Sequence, residues 1–168
     1  MEVKYKQYFT SFFMEQRQKP WGHETWFAQT QFYAGKILYI KKGHRYSLQY
    51  HQYKIEDQFV SFGRVKFTYG YDKDNLQEII LSAGESFHVE PMMIHRAEAL
   101  EDSWIFEVST PQLDDVVKLE DDYGRSGSGN NPELDNQLNS EIDGKNKTAC
   151  PHSAESQSRN AHGNSSAQ

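Results

Sequence analysis

Short apolar runs broken by turn residues fill the first 125 positions, and few of them carry helical spacing. Tyr46 to His51 alternates strictly, with Tyr46, Leu48 and Tyr50 on one face and Ser47, Gln49 and His51 on the other. Further strands are predicted at Trp26 to Ala28, Phe32 to Ala34, Ile37 to Ile40, Phe59 to Phe62, Val65 to Tyr69, Ile79 to Leu81, Phe87 to Val89 and Trp104 to Val108. Lys41-Lys42-Gly43 reads as a turn, and Gly63-Arg64 as a hairpin turn between two of these runs. Only the first twenty residues and Leu113 to Asp121 have a pattern compatible with helix. Many short strands with glycine-marked turns, and no alternation of strand with helix, predict an all-β barrel or sandwich.

The pattern stops near Arg125. Residues 126–168 hold 8 Ser and 7 Asn, and their large apolar residues are Leu134, Leu138 and Ile142, spaced for one or two helical turns. Three such residues bury too little surface to offset chain entropy, so this stretch is expected to be disordered. Composition agrees with that division: all 23 aromatic residues lie at or before Tyr123. The reading is an arm over 1–18, a barrel over 19–125 and a polar tail over 126–168.

Charge and cysteine content narrow the function classes. The chain carries a net charge of -6, and its first 125 residues hold 15 Lys and Arg against 19 Asp and Glu. Such a balance supplies no attraction to nucleic acid or to an anionic membrane, and neither is expected as a partner. The one cysteine, Cys150, excludes an intrachain disulfide and a cysteine-based zinc cluster. Charges interrupt Met1 to Lys19, and no run of 18 apolar residues occurs, so the expectation is a soluble cytoplasmic protein.

Candidate chemistry sits on the polar face of the alternating run. Gln49 and His51 share that face, Glu56 follows five residues later, and His95 arrives after a further strand pair. In a small barrel these side chains can converge, and two imidazoles, a carboxylate and an amide oxygen make a divalent-cation site. A histidine taken alone is more often structural; the joint spacing of the set raises it above that reading.

The spacing Gly43-x5-Gln49-x-His51-x4-Glu56-x6-Gly63 resembles the first cupin motif, with glutamine at its first ligand position. Gly84, Pro91 and His95 resemble the second. There Glu90 stands where a proline is expected, with Pro91 shifted by one, Met92 replaces a glycine and Ala99 an asparagine. Lys19-Pro20-Trp21-Gly22, Ser47-Leu48-Gln49, Gly84-Glu85-Ser86, His95-Arg96 and Glu120 to Arg125 follow in order, and together they resemble the cupin domain of type II mannose-6-phosphate isomerases. The likeness runs from Lys19 to Arg125. Those enzymes often carry a guanylyltransferase half, for which this chain has neither room nor a glycine-rich nucleotide loop.

The resemblance implies a double-stranded β-helix, or jelly-roll, barrel with Gln49, His51, Glu56 and His95 as metal ligands. The implied cofactor is one divalent ion, zinc first, with manganese, iron or nickel as alternatives. The implied reaction is mannose-6-phosphate to fructose-6-phosphate interconversion or a related step on a sugar phosphate. Such a reaction needs a proton carrier, for which Glu56, His88 and Glu98 are candidates. It also needs cations for the phosphate, and Lys36, Arg45, Arg96 and Arg125 are candidates, Arg96 foremost because it adjoins His95. Tyr46 and Tyr50, on the opposite face, are read as core. A non-catalytic sugar- or metabolite-binding module is the alternative, a metal-dependent dioxygenase the third reading. A homodimer is expected, because an exposed strand edge in a small barrel favours closure by a second subunit.

Overall fold

Strands form over nearly all of the predicted runs, because residues of alternating character can bury one side of a pleated ribbon. The computed structural model describes residues 14–148. In chain order its elements are β1 (Glu15–Lys19), β2 (Gly22–Gln29), β3 (Ala34–Ile40), β4 (Leu48–Tyr50), β5 (Glu56–Phe62), β6 (Arg64–Gly70), β7 (Gln77–Ser82), β8 (Ser86–Val89), β9 (Ile94–Ala99), β10 (Ser103–Ser109), β11 (Val117–Glu120), β12 (Gly127–Ser128) and α1 (Pro132–Thr148).

The strands make two antiparallel six-stranded sheets, ordered β1-β2-β3-β10-β5-β8 and β12-β11-β4-β9-β6-β7. Facing each other, they enclose the interior of the expected jelly-roll barrel. Its apolar core is built from Trp21, Leu38, Ile40, Val60, Val65, Phe67, Leu81, Ala97, Ala99 and Ile105, with Tyr46 beside them. Inward positions along several strands change character partway. Lys36 gives way to Leu38 and Ile40 on β3, Glu56 and Gln58 to Val60 on β5, His95 to Ala97 and Ala99 on β9, and Glu107 to Ile105 on β10. The register sets Lys36 and Gln58 on either side of Glu107, so the polar positions cluster at one end.

Several local expectations change. Gly63 does not close a hairpin, since β5 and β6 belong to different sheets and the turn is a corner between them. Its φ is +84°, and a Cβ there would lie 2.3 Å from Ser103 Oγ and 2.6 Å from the Asp102 carbonyl oxygen. Only glycine fits that corner. Phe32 and Tyr33 form the β2–β3 turn rather than a strand, with the Thr30 N–H donating to the Tyr33 carbonyl oxygen at 2.9 Å. The stretches judged compatible with helix hold strands instead: Glu15–Lys19 pairs with β2, and Val117–Glu120 with β4.

The stretch expected to be disordered from residue 126 contains β12 and the helix α1. Leu134, Leu138 and Ile142 are half-buried at the spacing that suggested a turn or two, and Asp135 is buried beside them. What hydrophobic content alone could not fix is held by charge: Asp135 pairs with Lys19 at 2.7 Å and with Arg125 at 2.9 Å. The rest of the tail, with Cys150, and most of the arm lie outside the described residues.

Candidate functional site

The polar end of the barrel brings His51, Glu56 and His95 together, each buried, with ligand atoms within 4.8 Å of one another. They arrive from three directions. His51 follows β4, Glu56 opens β5, and His95 lies on β9 directly across the ladder from Gln49.

Each imidazole is oriented through its far nitrogen. His95 Nδ1 donates to the Met93 carbonyl oxygen at 3.0 Å, and His51 Nδ1 donates to the Asp115 carbonyl oxygen. With a proton fixed on Nδ1, each neutral ring turns a lone pair on Nε2 inward. Those atoms make no hydrogen bond, yet stand 3.6 Å and 3.2 Å from the Glu56 carboxylate. Lone pairs facing a carboxylate in a buried site repel unless a cation lies between them. Burial pushes the His51 imidazolium below its ordinary 6.5 despite Glu56, so a proton is a poor occupant there. The donor set therefore fits a divalent metal ion.

The second motif's departures have a structural answer. Glu90 to Met93 form a turn closed by the Met93 N–H to the Glu90 carbonyl oxygen at 3.1 Å, with Pro91 at its second position. Met92 takes φ of +66°, the conformation a glycine would supply. The turn keeps its shape despite the substitution, and its Met93 carbonyl holds His95.

Around this cluster lie side chains that spacing did not single out. Gln58 is buried and donates to Glu56 Oε1 at 2.7 Å while accepting from the Tyr46 hydroxyl at 3.3 Å. Lys54 is buried with Nζ 2.5 Å from Glu56 and 3.3 Å from Glu107. Burial opposes its charge, but Glu107 and Glu56 raise its pKa above the ordinary value. Burial likewise opposes ionisation of Glu56, yet the Lys54 ammonium holds its carboxyl well below 4.5. Asp115 fixes the intervening loop, accepting the N–H groups of Gln52, Tyr53 and Lys54 at 2.9, 2.6 and 2.8 Å.

A cavity of about 240 Å³ reaches the cluster through His51, with Gln49, Lys54 and Gln58 also in its wall, while Glu56 and His95 stay behind it. Five cations line it (Lys19, Lys36, Lys54, Lys118 and Arg125) against the carboxylates Glu24, Glu107 and Asp135. Such an excess of positive charge in a partly enclosed space suits a small anion. Tyr46 lines the same cavity: it precedes β4, so the alternation that placed it on the opposite face does not apply.

Of the predicted phosphate ligands, Lys36 and Arg125 reach the cavity. Arg45 and Arg96 do not line it. Arg96 spends its guanidinium on the Tyr46 and Glu120 carbonyl oxygens, both at 3.0 Å, and Arg45 pairs with Asp122 at 2.7 Å. Glu98 is tied to Lys66 at 3.1 Å and is likewise not part of the cavity wall, because the alternation that turns His95 inward turns Arg96 and Glu98 outward. His88 is half-exposed and bonded to Asp57 at 2.8 Å on the outer face. His88 and Glu98 are therefore too misplaced to carry protons in the cavity.

Residues 10–121 match the family model described as mannose-6-phosphate isomerase C-terminal. No curated protein matches the chain. Among solved structures it is similar to the capsular polysaccharide assembling protein CapF from Staphylococcus aureus, at TM-score 0.56 and 20% identity over 66% of this chain and 35% of that one. It is similar to KdgF from a Halomonas species, at 0.53 and 20% over 60% and 91%. It is also similar to oxalate decarboxylase from Bacillus subtilis, at 0.56 and 16% over 63% and 30%. The chain thus spans about a third of CapF and of the decarboxylase, and at these identities the likeness is one of fold.

Proposed function

Since the chain belongs to the mannose-6-phosphate isomerase C-terminal family, whose fold is the cupin barrel, we propose that it is a metal-dependent isomerase of a sugar phosphate. Mannose-6-phosphate and fructose-6-phosphate are the first pair to test. The observation carrying this reading is a cation-lined cavity with His51 in its wall, backed by the buried His51–Glu56–His95 cluster with both Nε2 atoms unpartnered.

His51, Glu56 and His95 would hold a divalent ion, with Gln49 as the fourth ligand and zinc the first candidate. Such an ion would supply Lewis-acid stabilisation of negative charge developing on the sugar oxygens. Lys36 and Arg125 bind the phosphate, and Lys54 keeps Glu56 ionised and in place. Aldose–ketose exchange moves one proton from carbon 2 to carbon 1 and another from the carbon 2 hydroxyl to the carbonyl oxygen. Glu107, the cavity carboxylate between Lys36 at 3.1 Å and Lys54 at 3.3 Å, carries the carbon-bound proton in place of His88 and Glu98.

One observation favours a second reading. Glu107 and Asp135 are both ion-paired, which suits a non-catalytic module that binds an anionic sugar. Turnover separates the two. Metal-loaded protein should interconvert mannose-6-phosphate and fructose-6-phosphate, and should lose that activity in Glu107→Gln with metal content unchanged. A metal-loaded protein inactive on hexose and pentose phosphates, yet binding them, overturns the isomerase in favour of the module.

The homodimer belongs to the same proposal. The outer face of the first sheet exposes Phe59, Phe62, Trp104, Phe106 and Val108 across the neighbouring strands β10 and β5. A flat apolar face of this kind is matched by a second copy about a two-fold axis. No helix among the described residues is long and apolar enough to cross a membrane. A cytoplasmic location fits a sugar-phosphate substrate and stays part of the proposal.

A further inference from the structure

One wall of the cavity comes from the stretch that composition assigned to a polar tail. Ser126, Ser128, Gly129 and Asn130 line it, followed by Leu134 and Asp135 from the first turns of α1. Asp135 is buried, with Oδ2 2.7 Å from Lys19 Nζ and Oδ1 2.9 Å from Arg125 Nη1. Asp121 grips the other side of the same guanidinium at 2.7 Å. Lys118 completes the cluster. Its Nζ donates to the Gly129 carbonyl oxygen, and it makes no ion pair among the described residues. Burial, then Arg125 and Lys19, push its ammonium below the ordinary 10.5, opposed by Asp135 and Asp121.

Three cations packed this closely call for negative charge, and part of it comes from a helix with little else to hold it. The described apolar side chains of α1 are only half-buried. A buried ion pair is in itself weak evidence for stability, because desolvation offsets most of the attraction. The same three cations face the space where a ligand's anionic group would enter.

We propose that Lys19, Lys118 and Arg125 form an oxyanion subsite of the cavity, and that Asp135 occupies it in place of the ligand's anionic group, so that docking of α1 and binding of the anion compete. The proposal rests on the functional reading only in taking the cavity as the ligand site; it needs neither metal nor turnover. The ligand chemistry is a compact oxyanion, supplied by the phosphate of a sugar phosphate or the carboxylate of an acid sugar. An outside anion must displace a carboxylate of high effective concentration, which weakens its binding to the wild type.

The test uses the full chain stripped of metal and titrated calorimetrically with inorganic phosphate and, separately, with acetate. Asp135→Asn should bind phosphate about tenfold or more tightly than wild type, and adding Lys118→Met should abolish the gain. The same gain confined to acetate assigns the subsite to carboxylates. Should Asp135→Asn fail to fold, Leu138→Ala loosens α1 while keeping every charge, and it should shift affinity in the same direction. In wild type, saturating phosphate should speed amide exchange over residues 132–142. No gain for either anion in a folded variant, or slower exchange of α1 with phosphate, overturns the proposal. Because turnover is not measured, an inactive isomerase leaves this outcome readable.

Discussion

The two ends of the barrel interior are built by the same strands and behave as opposites. At one end the apolar side chains of Leu38, Ile40, Val60, Phe67 and Ile105 are buried in one cluster; at the other, one or two inward positions further along, stand Lys36, Glu56, His95 and Glu107. Burial of the first set drives folding, at roughly 1.5–3 kcal/mol per large apolar side chain. Burial of the second set opposes folding, since each charge loses water and must find a partner. A short strand carrying both characters ties the costly end to the stabilising end, and that coupling is how a small barrel keeps the two unpartnered Nε2 atoms of His51 and His95 buried.

The comparison breaks most severely at the apolar end. Phe67→Ala should cost about 3–5 kcal/mol by denaturant unfolding, while metal bound per folded molecule stays unchanged. Metal lost in step with stability would mean that the two ends are not separable. Next comes Lys54→Met, which leaves Glu56 and Glu107 buried without their shared cation. The cost should be about 3 kcal/mol in metal-free protein and smaller once metal is added, because the ion compensates Glu56. An equal cost with and without metal would place the ion elsewhere.

Metal itself should stabilise only through the polar end. At a hundredfold excess over Kd it should add about 2.7 kcal/mol to wild type and nothing to His51→Ala, read as a shift in Tm. Acid acts on the same end. The His51 imidazole titrates below 6.5 in the fold, so the unfolded chain takes up its proton first and stability falls as pH drops from 6.5. Burial works against the charge of Asp115, but three backbone N–H groups hold it below 3.8, so its contribution is present above that value and lost as pH falls through the folded one. Melts across this range should show Asp115→Asn losing the lower-pH part of the dependence and keeping the upper part. The smallest effect belongs to the turn that seats His95: Met92→Gly should gain roughly 1 kcal/mol by removing a left-handed side-chain conformation, with metal binding intact.

Much of this was legible in the chain. Period-two alternation found the strands, and the spacing of His51, Glu56 and His95 found residues that the fold brings within ligand distance. Side chains set by tertiary pairing were not legible. Lys54 reads as a loop lysine, and Glu107 lies between Phe106 and Val108, apolar neighbours that a pattern reader turns inward, whereas the strand buries Glu107 and exposes both. Asp135 finds Lys19 across 116 residues, a separation no local pattern spans. Arg96 and Glu98 could have been set aside from the sequence, because the alternation that turns His95 inward turns both of them out.

Elemental analysis of the purified chain, set beside His51→Ala and His95→Ala, tests the central claim most directly. About one divalent ion per wild-type chain, lost in both variants while their secondary structure persists, is the predicted result. A wild-type chain that takes up no divalent ion, or variants that keep it at the wild-type level, would contradict the account.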